Sequence, residues 1–221
     1  MTPLPLTKPR SVRGPHPLSR RTLVTPSQAL SDLRVRSIGR LNALPPERRR
    51  RVYHSLIPLQ VLLRFEIDPE ELTRSEGSPL FEVVAGRSSV ELYLRHDPEA
   101  EDPLLYLQLA DTTTNQIEVV LFMVNDPFSK RFNTDRLPDG TPTHFGTQGR
   151  NIAEEIKAMQ AGLAPGQVRR GLRLTRELVP ILEAFVDALH HDLFYIQPLA
   201  YHNAILFERL GFSYAMGLGH M

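Results

Sequence analysis

The stretch from Phe81 to Val124 constrains the fold most strongly, because apolar and polar residues alternate through it with the period of a β-strand. Short polar turns at residues 86–87 and 111–115 divide this stretch, which is the pattern of two successive hairpins. The predicted strands are residues 81–85, 90–95, 104–110 and 116–124. Antiparallel pairing within each hairpin therefore predicts a sheet at the centre of the fold.

In the last of these strands, strict alternation predicts two faces of different character. One face carries Ile117, Val119, Leu121 and Met123. The other face carries Gln116, Glu118, Val120, Phe122 and Val124. Glu118 is thereby the charged residue closest to the buried part of a strand.

Helical periodicity precedes the hairpins. Residues 27–41 place their apolar side chains mostly on one side of a helix, with Ser27 or Ser31 available as the N-cap. Residues 45–57 predict a second helix, because two prolines and a glutamate suit its first turn. Residues 59–67 are apolar, and their periodicity does not decide between a strand and a continuation of this helix.

A long connection and two helices are expected after the hairpins. Residues 126–149 are rich in Asp, Asn, Pro, Gly and Thr, and they predict a long loop that is either ordered or flexible. Residues 151–161 predict a short helix, and residues 174–189 show the strongest helical pattern of the chain. Pro180 lies inside that pattern, so either a kink or a true helix start near Thr175 is expected.

The composition is that of a soluble globular domain. The chain has 221 residues and no cysteine, which fits one medium domain and excludes disulfides, thiolate zinc sites and a cysteine nucleophile. No apolar run approaches the length that crosses a bilayer, so a cytoplasmic protein is expected. Residues 1–26 are basic and proline-rich without any acidic residue, which predicts an extended or disordered tail before a single domain at residues 27–221.

Positive charge is concentrated near the N-terminus. Residues 1–54 contain 12 basic and two acidic residues, although the whole chain carries a net charge of only +1. Arg48 to Arg51 form an uninterrupted basic run within this arm. Such an arm can bind nucleic acid, an anionic surface or the acidic remainder of the same chain, whereas a solvated helix face is the plainer interpretation of the run itself.

The end of the chain has a distinctive order of elements. Residues 194–199 predict a strand, Asn203 is a good N-cap for a helix, and Gly211 can end that helix before Phe212 starts a buried strand. The helix carries an apolar stripe made of Ile205, Leu206, Phe207 and Leu210. The run from Asn203 to Phe212 resembles the closing helix and strand of the GNAT-type N-acyltransferases.

This resemblance implies both a fold and an activity. The fold is α/β (α+β), with a mixed, largely antiparallel sheet flanked by helices. The activity is transfer of an acyl group from acetyl-CoA, a longer acyl-CoA or another acyl thioester to a small-molecule amine or a protein amine. The resemblance is limited to the topology of the elements before residue 167.

In the family, a loop of pattern Q/R-x-x-G-x-G/A at the start of a helix holds the pyrophosphate of the cofactor on unpaired backbone amides. The candidate cofactor-binding residues that the resemblance implies here are Gln167, Arg169, Arg170, Gly171, Leu172, Arg173 and Asn203. Two positions depart from the family pattern. Arg173 stands where glycine or alanine is usual, and Val168 stands where glutamine or arginine is usual.

The family's general acid, a tyrosine in the closing helix, has no counterpart here because Phe207 occupies its position. Tyr201 is the candidate substitute, with Tyr195 and Tyr214 as alternatives, and Glu118 or a histidine is the candidate general base. A non-catalytic binding module that has lost the acid is therefore the second interpretation. Nucleic-acid or anionic-surface binding through the basic arm is the third.

A histidine cluster offers a metal site as a further alternative. His190, His191, Asp192 and His202 lie close in sequence, and Glu208 or His144 could complete a ligand set. Adjacent histidines point in different directions, however, and no recognised ligand spacing is present. The helix dipole explains histidines at a helix C-terminus equally well, so no metal is expected.

Overall fold

The computed structural model describes residues 24–73, 79–143, 148–198 and 201–213. Its described part contains one sheet of five strands in the order β1-β2-β3-β4-β5, of which the first four are antiparallel and β5 is parallel to β4. The strands are β1 (Phe81–Ala85), β2 (Ser89–Leu94), β3 (Leu105–Asp111), β4 (Ile117–Val124) and β5 (Phe194–Ile196). The prediction of a largely antiparallel α+β sheet flanked by helices is confirmed.

Four short helices precede the sheet. They are α1 (Pro26–Leu30), α2 (Ile38–Asn42), α3 (Pro46–His54) and α4 (Leu59–Arg64). The single helix predicted for residues 27–41 is therefore wrong, because the chain leaves the helix after Leu30 and starts a new one after Ser37. The cap of α1 is Thr25 rather than a serine, so the folded part begins inside the predicted tail. Residues 1–23 of that tail lie outside the described residues.

Three helices follow the hairpins. They are α5 (Ile152–Gln160), α6 (Thr175–Ala188) and α7 (Tyr201–Arg209). Helix α6 starts at Thr175 as expected and keeps Pro180 in its interior. Gly211 has a φ of 96° and ends α7, where the amide of Phe212 donates to the carbonyl of Phe207. Phe212, where a buried closing strand was predicted to start, is half-buried and not in a strand, and residues 214–221 of that prediction lie outside the described residues.

The hydrophobic core lies on one face of the sheet. Leu92 of β2 and Leu107 of β3 point into it and are fully buried. Helices α1 to α4 and α6 cover this face, and α1 packs directly against α6. Tyr93, Tyr106 and Gln108 lie on the opposite face, where both tyrosine hydroxyls donate to the carboxylate of Glu91. Among the described residues, no helix is both long and apolar enough to span a membrane.

Strand β4 contains a β-bulge at Val120. Val119 pairs with Leu109 and Leu121 pairs with Gln108, so Val120 has no partner on β3. The extra residue reverses the alternation, and Phe122 and Val124 therefore pack against the same core as Ile117 and Val119. Glu118 lies on the opposite face with Leu121 and Met123, since these three pair with β3 residues of that face. The strict alternation predicted for this strand is wrong.

Candidate functional site

The two parallel strands β4 and β5 separate soon after they pair. Three residues of β5 pair with Ile117 to Val119 of β4, and the amide of Gln197 then donates to the carbonyl of Val119 at 3.2 Å. Farther along β4, the next partner on this edge is the segment before α6. There the amide of Leu172 donates to the carbonyl of Val124 at 3.3 Å, and the amide of Asp126 donates to the carbonyl of Arg170 at 2.8 Å.

We call the edge of β4 between these two sets of bonds, residues 120–123, the strand gap. Successive residues of a strand direct their backbone groups to opposite edges, so Phe122 directs its N–H and C=O to the same edge as Val124. No described residue forms a backbone hydrogen bond to Phe122 from that side. The bulge at Val120 explains the separation, because a bulge bends a strand and increases its twist.

The segment 167–173 lies at one end of the strand gap, as the pairing of Leu172 with Val124 requires. Glycine is favoured at position 171, since a Cβ there would lie 3.1 Å from the carbonyl oxygen of Val124, a tight contact. Gln167 contributes to a turn, because its side-chain oxygen accepts from the amide of Ala164 at 2.8 Å. This turn and the pairing with β4 fix the path of the chain into α6.

Arg169 has a structural role in place of the predicted phosphate contact. Its guanidinium donates to Asp102 at 2.6 Å and also to the carbonyls of Pro127 and Ser129. Asp102 accepts from Arg131 as well, at 3.1 Å. Burial lowers the pKa of Arg131, but its bonds to Asp135 and Asp102 outweigh this effect and raise it. The buried pairs order the start of the predicted long loop.

The remaining basic residues of the segment face solvent. Arg170 and Arg173 are exposed, and Arg173 has a φ of 60° in the left-handed region. Leu174 stands at the N-cap of α6 and provides no side-chain acceptor, so no described residue accepts from the amides of Thr175 or Arg176. Two guanidinium groups and two helix amides therefore remain available for an anion at this end of the gap.

Phe207 lies beside the strand gap. Its ring centroid is 5.9 Å from that of Phe122 and 5.6 Å from that of Phe212, and the side chain is buried. The position that the family resemblance assigns to a general acid is thus next to the gap, but it is filled by an apolar ring. No hydroxyl group reaches the gap from this position.

The predicted catalytic residues are placed elsewhere. Glu118 pairs with Tyr195 across β4 and β5, on the sheet face opposite the core. Six residues separate Glu118 from Val124 along the strand, which is about 20 Å. Tyr201 begins α7, and Tyr214 lies outside the described residues. The structure therefore does not bring Glu118 together with the segment that starts α6.

Asn203 is not the N-cap that the sequence predicted. Helix α7 already begins at Tyr201, so Asn203 is its third residue and lies within the first turn.

The sequence gives no indication of the role of Asp102, which lies between β2 and β3 and is not part of a motif. Its effect depends on Arg131 and Arg169, which approach it only in the folded chain.

The basic arm is divided between structural and exposed residues. Arg49 donates to the carbonyl of Asn42, and Arg50 donates to the carbonyls of Phe81 and Glu71. Arg48 and Arg51 are exposed.

In the part of the chain that the structure describes, no group of three or more histidine, aspartate or glutamate residues is arranged to hold a metal ion. His191 instead makes a 2.7 Å hydrogen-bond contact with the carbonyl of Arg36.

Comparison of the chain with protein-family models, curated proteins and solved structures found no match.

Proposed function

We propose that this chain binds an acyl thioester of coenzyme A along the strand gap and transfers the acyl group to an amine. One observation carries the proposal. Strand β5 leaves β4 after the pair formed by Val119 and Ile196, and the backbone groups of Phe122 then have no partner among the described residues. An extended ligand with amide groups can pair with such an edge as an added strand does. The pantetheine arm of coenzyme A has this character.

The phosphates of the ligand are assigned to the end of the gap where α6 begins. The amides of Thr175 and Arg176 are free of described acceptors, and helix N-termini favour anions. The exposed guanidinium groups of Arg170 and Arg173 would add charge-assisted hydrogen bonds. Arg169 is not assigned to this role, since its Nε and Nη1 groups already donate to Asp102 and two carbonyls.

In the transfer step, the amine nitrogen attacks the thioester carbonyl, the C–S bond breaks, and the departing thiolate takes a proton. The attacking amine also loses a proton, so the reaction needs an acid and a base. We assign the base, which takes the proton of the amine, to Glu118, about 20 Å along β4 from the phosphate end of the gap. Tyr201, at the start of α7, is the residue to which we assign the acid.

A binding module without turnover is the second candidate, and Phe207 favours it. The ring of Phe207 packs on Phe122 at the position where the resemblance calls for a hydroxyl group. A buried apolar ring cannot protonate a thiolate. The two candidates share the ligand site and differ only in the reaction.

Calorimetry with acetyl-CoA and a longer acyl-CoA tests the shared site. We expect binding that weakens several-fold in the R170Q and R173Q variants, because each loses a charged hydrogen-bond donor. R209Q, a change in an exposed arginine at the end of α7, is the matched control and should bind as the native chain does. No heat of binding at high micromolar acyl-CoA, from a folded sample, would refute the proposal.

Thiol release in the presence of a panel of amines separates the two candidates. Turnover that disappears in Y201F while acyl-CoA affinity is retained supports transfer with Tyr201 as the acid. Binding without turnover for any amine assigns the chain to the binding class.

A further inference from the structure

A second candidate site lies at the other end of β4. Arg34, Arg36 and Arg40 line a cleft of about 550 Å³ between the first helices and the turn that joins β3 to β4. Asn115 of that turn forms part of the wall. It lies five residues before Val120, or about 16 Å along the strand from the near end of the strand gap, so the cleft is separate from the gap.

The three arginines have no carboxylate partner in the described part of the chain. All three are exposed, and none forms an ion pair with a described residue. Other arginines of the chain behave differently, as Arg131 and Arg169 share the buried carboxylate of Asp102. Three unpaired guanidinium groups around one cleft create a strongly positive potential, which favours an anionic ligand.

The backbone that carries these arginines is held in place. His191 contacts the carbonyl of Arg36 at 2.7 Å. The carboxylate of Asp111 accepts from the amides of Ile38 and Gly39 at 2.7 and 2.9 Å. A Cβ at Gly39 would lie 2.8 Å from the carbonyl oxygen of Arg87, so glycine permits this close approach. The arginines are thus presented from a fixed segment, which reduces the entropy lost on binding.

The rest of the lining indicates the size and type of ligand. Val35, Ala43 and Leu44 supply apolar surface beside the guanidinium groups. No aromatic side chain lines the cleft, so the stacking platforms typical of single-stranded nucleic acid sites are missing from its lining. A concave site with a few charged groups and an apolar wall is typical of a small-molecule site.

We propose that the cleft formed by Arg34, Arg36 and Arg40 binds a small molecule that carries a diphosphate or triphosphate group, of about the size of a nucleotide. The phosphates contact the guanidinium groups, and the organic part of the ligand lies against Val35 and Leu44. This site is independent of the acyl-thioester site at the strand gap.

Calorimetry of the full chain with inorganic pyrophosphate, ATP and a short single-stranded oligonucleotide tests the proposal. We expect pyrophosphate and ATP to bind, with ATP the tighter because it adds apolar contact. R36Q and R40Q should each weaken both ligands about tenfold, since each removes a hydrogen bond to a charged group. R209Q, which changes an exposed arginine at the end of α7 outside both proposed phosphate sites, should leave both affinities unchanged.

Three results would overturn the assignment. The first is absence of binding by pyrophosphate and ATP while native circular dichroism is retained. The second is binding that R36Q and R40Q do not weaken, or that R209Q weakens equally, because the phosphates would then occupy another place. The third is binding of the oligonucleotide alone with a steep salt dependence, which would assign the arginines to a nucleic-acid backbone. Each of these results leaves the acyl-CoA titrations at the strand gap unaffected.

Discussion

Replacement of Asp102 by asparagine should destabilise the fold far more than replacement of its neighbour Glu101 by glutamine. The Asp102 side chain is 12% exposed and accepts from Arg131 and Arg169, whose side chains are 12% and 17% exposed. The Glu101 side chain is 50% exposed; it pairs with Arg136, which is 48% exposed, and also reaches Arg131 at 3.3 Å. The two adjacent acids therefore share Arg131 and differ mainly in burial.

The size of the difference follows from desolvation. Removing one partner of a buried ion pair costs about 3–5 kcal/mol, because the remaining charge is left buried without compensation. Arg131 keeps Asp135 and Glu101, and Arg169 keeps two carbonyl acceptors, so we expect no more than the lower end, about 3 kcal/mol, for D102N. Exposed pairs contribute about 0.5 kcal/mol each, so we expect a loss of at most about 1 kcal/mol for E101Q.

Urea unfolding of the two isosteric variants measures both values. A loss below about 1 kcal/mol for D102N, or equal losses in the two variants, would refute the argument that burial of this network stabilises the fold. Hydrogen exchange adds a local readout. Because Arg169 anchors the segment before α6, D102N should accelerate exchange of the Leu172 amide, which donates to Val124.

Three further predictions concern stability. The folded-state pKa of His54 is about 4, against an ordinary value of 6.5, because burial and then Arg50 disfavour the charged ring. Between these two pH values the unfolded chain binds more protons than the folded chain does. The stability contributed by neutral His54 is therefore complete above pH 6.5 and falls by up to about 3 kcal/mol toward pH 4. Y53F should cost about 1–3 kcal/mol, since it removes the 2.7 Å hydrogen bond to the buried Asn42. I156E should change stability by less than about 0.5 kcal/mol, whereas A158L should cost about 1–3 kcal/mol, because Ile156 is 46% exposed and Ala158 is 1% exposed.

Urea unfolding checks all three predictions. For His54, the control is H54Q, which should flatten the pH dependence between 4 and 6.5. An unchanged profile in H54Q would show that another group titrates. An unaffected Y53F variant would mean that Asn42 finds another donor, and a strongly destabilised I156E variant would place Ile156 in a packed interface.

The strands were predictable because their signal is local. Alternation over residues 81–124, with turn residues at fixed places, gives strand ends that agree with the structure to within about one residue. The bulge at Val120 was not predictable, because a single extra valine in an apolar strand leaves no mark in the composition. It places Glu118 on the face opposite Phe122.

The helices show where tertiary contacts override periodicity. Residues 27–41 have a helical pattern, but Asp111 captures the amides of Ile38 and Gly39 and starts a second helix there. In α5, the apolar stripe that includes Ile152 and Ile156 is about half exposed, whereas Glu155 is buried. The periodicity located these helices correctly in part but did not determine which side of α5 packs.

The sequence predicted the segment before α6 as a candidate site but could not assign roles to its arginines. In the structure this segment lies at one end of the strand gap, and arginines within it have opposite environments. Arg169 is bound by Asp102 and two carbonyls, whereas Arg170 and Arg173 face solvent. A lone sequence cannot distinguish these arginines, because their difference depends on a carboxylate that is 67 residues away along the chain.

The bulge at Val120 connects the fold to the proposed function. Without it, β4 would continue in register with β3, and the parallel partner β5 could extend along the same edge. With it, β4 bends after Val119, β5 loses its partner beyond Ile196, and the backbone groups of Phe122 are left on an open edge. The segment that pairs with Val124 then closes the far end of that edge and leads directly into α6. One inserted residue therefore accounts for the vacant strand edge, and the segment paired with Val124 places that edge next to helix amides that have no described acceptor. The proposed ligand site depends on these two features together.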